Sequence, residues 1–110
     1  MKLAIIGSRG LTIDNLGDYL PKGVTEIVSG GARGIDTVAA TYAKESGIPL
    51  TLFLPQYHLY GRGAPIKRNR HIVEYADAVL AFWDGHSNGT KSVITLCQKL
   101  NKPCQIVRIP

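Results

Sequence analysis

An α/β domain built on one open, parallel sheet of five strands, with helices on both faces, is the fold this chain predicts. Short apolar runs alternate along the sequence with segments whose apolar residues recur at helical spacing. The apolar runs lack the two-residue alternation of a sheet with one wet face, as strands covered on both sides should. Three of the runs end in glycine-rich turns, Gly7–Gly10, Ser29–Gly34 and Asp84–Thr90. In open sheets of this kind ligands sit beyond the carboxyl ends of the strands, where the strand order reverses. Three such turns on one edge say more than any one of them alone.

Taken in order, Lys2 to Ile6 reads as the first strand, ended by Gly7. Thr12 opens a helical pattern with Ile13, Leu16 and Leu20 on one face, closed by Pro21. Val24 to Ser29 is the second strand. A helix follows from about Ala32 to Ser46, with Ile35, Val38, Ala39, Tyr42 and Ala43 at helical spacing and Gly47 as its cap. Pro49 to Leu54 is nearly all apolar, which predicts a third strand buried on both faces. Pro55 to Pro65 is the least regular segment and holds Tyr57, His58, Tyr60 and Arg62. Ile66 to Tyr75 is a helix carrying Lys67, Arg68, Arg70 and His71. Ala78 to Trp83 is the fourth strand, the loop Asp84–Thr90 leads into a helix through Leu100, and Pro103 to Ile109 is the last strand. The crossovers should be right-handed.

A length of 110 residues suits a single domain spanning 1–110, able to bury roughly two thirds of its unfolded surface. With 45% hydrophobic and 19% charged residues the composition is that of a soluble globular protein. No apolar run approaches the roughly 18 residues of a membrane span, so no membrane partner is expected. The opening residues Met1–Gly7 are too short for a secretory signal, and a cytoplasmic location is the default expectation. Cys97 and Cys104 read as two buried, reduced thiols, since no second pair completes a zinc site. His58, His71 and His86 share no metal spacing, so neither a metal nor a cofactor is expected. The formal charge of +5 favours a polyanionic partner, nucleotide or nucleic acid.

The second turn, Val28-Ser29-Gly30-Gly31-Ala32-Arg33-Gly34-Ile35-Asp36, is the densest candidate. Its glycines let the backbone bend and approach a ligand closely, and the helix beyond it offers unpaired N–H groups to an anion. Arg33 carries a fork suited to phosphate or carboxylate. Tight strand–helix packing accounts for the glycines but not for the arginine. Asp36 lies in the first helical turn, where it suits the dipole and equally a ligand hydroxyl. Ser8 and Arg9 suit a phosphate or make an ordinary turn. Ser87, Asn88, Gly89 and Thr90 form a polar helix entrance, with Thr90 either a phosphate contact or a cap. Asp84 can accept from a ribose hydroxyl or a base. Tyr57 and Tyr60 offer an aromatic wall or a packed loop, and Trp83 suits the core or a subunit contact.

These pieces together resemble the SLOG superfamily, the Rossmann-like group of DNA-processing protein A and the lonely-guy phosphoribohydrolases, and look closest to its small stand-alone YspA/YpsA-related branch. The matching stretches are Gly7-Ser8-Arg9, Ser29–Asp36, Arg68-Asn69, Ala76–Val79 and Ser87–Thr90, spread along the whole chain in the family's order. The resemblance implies a strand order of 3-2-1-4-5, with Ser8–Gly10 and Asp84–Thr90 on opposite lips of a switch between the first and fourth strands. It implies loops that bind nucleotides, sugar phosphates or single-stranded DNA, and a homodimer or larger assembly. It also points Arg68 into the cleft, matching the phosphoribohydrolases' catalytic arginine, with Asn69 beside it. Their catalytic glutamate follows the glycine-threonine pair, where this chain has Lys91, Ser92 and Val93. Cleavage of an N-glycosidic bond calls for a carboxylate; if the chain is an enzyme, Arg68, Asp36 and Asp84 are the candidates.

The expected site is therefore Gly7, Ser8, Arg9, Gly30, Gly31, Arg33, Gly34, Asp36, Arg68, Asn69, Asp84, Ser87, Asn88, Gly89 and Thr90, binding a nucleotide or a nucleotide-derived small molecule as a sensor or sequestering protein. An N-glycosidic hydrolase acting on a nucleotide or NAD-like compound is the alternative reading. A single-stranded DNA binder ranks third, since few aromatics are available to stack bases.

Overall fold

The computed structural model describes residues Met1–Pro110. Its strands are β1 (Lys2–Gly7), β2 (Glu26–Ser29), β3 (Leu50–Leu52), β4 (Ala78–Trp83) and β5 (Cys104–Arg108). They form one all-parallel sheet in the order β3-β2-β1-β4-β5, as expected. β1 and β4 are neighbours in register from Leu3 against Ala78 to Gly7 against Phe82. The helices are α1 (Ile35–Ser46), α2 (Tyr57–Tyr60), α3 (Ala64–Tyr75) and α4 (Asn88–Lys99).

Side chains alternate across the sheet because strand geometry has a period of two. Leu3, Ile5, Ile27, Leu80 and Phe82 face one way and pack with Ile35, Ala39 and Ala43 of α1. Ala4, Ile6, Val28, Val79 and Ala81 face the other way and pack with Ile72 and Val73 of α3 and Val93, Ile94 and Cys97 of α4. Both faces are apolar, so the central strands read as continuous apolar runs rather than alternating ones. Phe82 is fully buried and meets Tyr19 edge-to-face at 5.2 Å between ring centres.

Several expectations change in detail. The helix expected from Thr12 to Leu20 is a single 3₁₀ turn, Leu16–Tyr19. Asp14, Asn15, Gly17 and Asp18 are weak helix formers, and so short a segment cannot offset the cost of nucleation. Leu16 still reaches the core. α1 starts at Ile35 rather than Ala32, because Gly34 precedes it with φ 74° and ψ −123°, outside helical space. Gly47 ends α1 in the left-handed region, as expected. β3 is not buried on both faces; it is a three-residue edge strand with Leu52 exposed. Pro55–Pro65 holds the short α2, a 3₁₀ turn at Gly61–Gly63 and the start of α3, where Pro65 suits the first helical turn. Cys97 is buried, but Cys104 on the other edge strand is only partly so.

The amino ends of the strands are fastened by polar contacts. The Lys2 N–H donates to Asp77 Oδ2 at 2.7 Å. The hydroxyls of Thr51 and Tyr75 both donate to Glu26 Oε2, tying β2 to β3 and to α3. The Lys102 ammonium donates to the Ala76 carbonyl. No helix is long and apolar enough to cross a membrane.

Candidate functional site

At the carboxyl ends of the strands the connections after β1 and β4 depart in opposite directions, and a cleft of about 430 Å³ opens there. It is lined by residues of three turns and of α3. Ser8 follows β1 and is almost fully buried. Its N–H donates to the Phe82 carbonyl at 3.1 Å, which carries the β1–β4 pairing one residue past the sheet. Its hydroxyl lies 2.6 Å from that of Ser87 and accepts from the Asp84 N–H at 3.3 Å. The two lips therefore touch at Ser8.

Asp84 shapes its own loop. One carboxylate oxygen accepts from the N–H groups of both His86 and Ser87 at 2.8 Å. These two bonds hold its carboxyl below the usual range. Trp83 donates its indole N–H to the Ser87 carbonyl at 3.1 Å and stacks loosely under Arg108, a packing role. Because Ser87 turns its hydroxyl toward Ser8, the first turn of α4 has no side-chain cap. Gly89 and Thr90 of that turn line the cleft. An uncapped helix start leaves backbone donors and the positive end of the dipole facing the opening.

Across the cleft stand Gly30, Asp36 and Arg68. Arg68 Nη1 donates to the Gly30 carbonyl at 2.6 Å and Nε donates to Asn69 Oδ1 at 2.8 Å. Only glycine allows this approach: a Cβ on Gly30 would stand 2.6 Å from Arg68 Nη1. Asp36 Oδ2 accepts from the Ala32 N–H at 3.0 Å. Burial pushes the Asp36 carboxyl above its usual value, and the Ala32 N–H and then Arg68 pull it partly back. Burial likewise weighs against the charge on Arg68, with Asp36 opposing that effect. Arg68 stays a cation all the same, since a guanidinium does not lose its proton in proteins. It makes no direct ion pair; the one ion pair of the molecule is Arg70 with Glu74 on the surface. Arg9 on the first turn is an exposed second cation at the same opening.

Eleven of the fifteen expected site residues line this cleft: Gly7, Ser8, Arg9, Gly30, Asp36, Arg68, Asn69, Asp84, Ser87, Gly89 and Thr90. Gly31, Arg33, Gly34 and Asn88 do not. Arg33 points to solvent. Gly34 has φ 74°, and a Cβ there would stand 2.5 Å from the Arg9 carbonyl oxygen, so it joins the second turn to the first. Tyr57 and Tyr60 lie exposed on α2 and form no wall of the cleft.

Six further residues line the cleft: Gly10 and Ala32, which belong to turns already singled out, and Ile6, Pro65, Ile72 and Val93, which escaped the sequence reading. Pro65, Arg68, Asn69 and Ile72 stand at helical spacing, so the position of Arg68 identifies its companions. Val93 is one turn beyond Gly89 and Thr90. Ile6, Ile72 and Val93 give the cleft an apolar floor. No three His, Cys, Asp or Glu side chains converge anywhere in the chain. Comparison with protein-family models, with curated proteins and with solved structures found no match.

Proposed function

We propose that the cleft binds a nucleotide or a nucleotide-derived small molecule, and that the protein acts as a sensor or sequestering protein. The observation that carries this reading is the uncapped start of α4 at the β1–β4 switch, facing Arg9 and Arg68 across an apolar floor. Backbone donors and a helix dipole suit a phosphate, the two guanidiniums add charge and forked donors, and Ile6, Ile72 and Val93 suit a base or sugar face. These are the stretches that resemble the SLOG superfamily, and homodimer or larger assembly comes with the same reading. Isothermal titration against adenine nucleotides, ADP-ribose derivatives and cyclic dinucleotides tests it. Binding by at least one class, weakened tenfold or more in Arg68→Ala, is the expected outcome; folded protein that binds none of them rejects it. Sedimentation velocity tests the assembly.

A second reading, N-glycosidic hydrolysis, draws on Asp36. It is a buried carboxyl raised above its usual value beside Arg68, the kind of group that serves as general acid or base. Against it, Val93 lines the cleft where a carboxylate is wanted, and Asp84 is committed to two loop N–H groups. Free base released from AMP or NAD, and lost in Asp36→Asn, would establish this reading. A single-stranded DNA reading lacks support in the cleft, since no aromatic side chain lines it.

A further inference from the structure

A second concavity lies on the outer side of α3 and α4, behind the helices that wall the cleft. It is a groove of about 620 Å³, larger than the cleft. Its charged lining is Lys67, Arg70, Lys91 and Lys99, with no carboxylate among the lining residues. Glu74, the partner of Arg70, stands outside it. Ile66 projects into this setting with 67% of its surface exposed, the most exposed of the large apolar side chains. Leu96 lies partly buried in the same groove, and Ser92 and Thr95 keep the α4 side shallow.

We infer that this groove docks an acidic, amphipathic segment of a partner protein, with carboxylates meeting the four cations and one or two aliphatic side chains covering Ile66 and Leu96. The combination of charge and apolar surface selects the occupant. Three lysines with no carboxylate partner, beside Arg70 whose partner Glu74 stands outside the groove, attract a polyanion. A nucleic-acid strand would exploit the cations but needs aromatic faces for its bases, and the groove has none. A helix laid in a groove instead uses aliphatic anchors at i, i+3 and i+4, which Ile66 and Leu96 can receive.

The groove also touches the cleft. Asn69 lines both, and Asn88 faces the groove while Gly89 and Thr90 face the cleft. A partner seated there would rest on the two helices that a cleft ligand contacts.

The test uses the full chain, ¹⁵N-labelled, titrated with a 16-residue helical peptide bearing glutamates around a leucine stripe, and separately with oligothymidine. The expected result is saturable shifts centred on Ile66, Lys67, Arg70, Lys91 and Lys99 with the peptide. Charge reversal in Lys91→Glu/Lys99→Glu should weaken binding at least tenfold, and Ile66→Ser several-fold. Both variants lie on the surface, and an unchanged spectrum elsewhere shows that they fold. Absence of these shifts at millimolar peptide overturns the inference. So does oligothymidine occupying the groove more tightly than the peptide, or peptide binding indifferent to Ile66→Ser. Because the readout is confined to the outer faces of α3 and α4, it is independent of whether the cleft binds a nucleotide.

Discussion

The hydroxyls of Ser8 and Ser87 meet at 2.6 Å across the seam between β1 and β4, joining residues 79 apart in sequence. This bond ties the first turn to the third at the cleft, and it diverts Ser87 from capping α4. Ser8→Ala removes it together with the bond to the Asp84 N–H. Loss of about 1–2 kcal/mol of stability is expected, read by urea denaturation. On the proposed reading of the cleft, nucleotide affinity should fall as well, since a freed Ser87 can turn back to cap the helix. An unchanged urea midpoint would show that the seam is held by backbone alone.

Arg68 holds the Gly30 carbonyl from inside the cleft. Arg68→Ala leaves that carbonyl without its donor and Asp36 without its nearest cation, so a cost of about 1–3 kcal/mol is expected. Arg68→Lys should recover part of the stability but little ligand affinity, because an ammonium cannot span Gly30, Asn69 and a ligand at once. Equal affinity in Arg68→Lys and the unaltered protein would remove the forked geometry from the account.

Asp36 makes stability depend on pH in the sense opposite to most carboxylates. Its folded value is raised above the ordinary 3.8, so the folded state holds the proton more tightly than the unfolded chain. Its contribution is most favourable below that ordinary value and declines as pH rises through the folded one. Asp77 and Asp84, whose values are lowered, act in the other direction. The difference between Asp36→Asn and the unaltered protein isolates the effect. The variant should gain relative stability as pH rises from about 4, while binding ligand less well. A difference that stays flat between pH 4 and 8 would contradict the burial of this carboxyl.

Gly34 and Gly10 make a matched pair of tests. Alanine at Gly34 would carry a Cβ at positive φ against the Arg9 carbonyl, and a cost of about 2–4 kcal/mol is expected. A Cβ at Gly10 meets nothing within 4 Å, so Gly10→Ala should change stability by less than about 0.5 kcal/mol. Urea denaturation of both reads the contrast; equal effects would mean that the first two turns are not packed together.

The centre of the sheet was legible because Ala4 to Ile6 and Val79 to Phe82 are apolar on both faces and stop at glycine turns, as covered parallel strands do, whereas the edge strand β3 is partly exposed. The glycine turns were legible for the same local reason. What escaped depends on distant partners. Ile13, Leu16 and Leu20 look helical, yet Leu16 is drawn into the core by α1 while Asn15 and Gly17 break the backbone pattern. Arg33 and Arg68 were both expected in the site, Arg68 through the resemblance; the Gly30 carbonyl, 38 residues from Arg68, holds that arginine in the cleft, whereas Arg33 stands exposed. Pro65, Ile72 and Val93 needed the two helices to be set against the cleft before they became visible.

The position of β1 in the middle of the sheet also sets a schedule for folding. One of its edges pairs with β2, about 24 residues further along the chain, but the other waits for β4, about 75 residues away. Contacts of such sequence separation form late and limit the folding rate. On a ribosome the first strand would emerge long before its second neighbour, leaving a bare apolar ribbon beside a finished β1–β2 pair. The Lys2–Asp77 and Ser8–Phe82 bonds, at the two ends of the β1–β4 seam, would close that ribbon only when the fourth strand arrives. Until then, the edge of β1 from Leu3 to Gly7 is left without its strand partner.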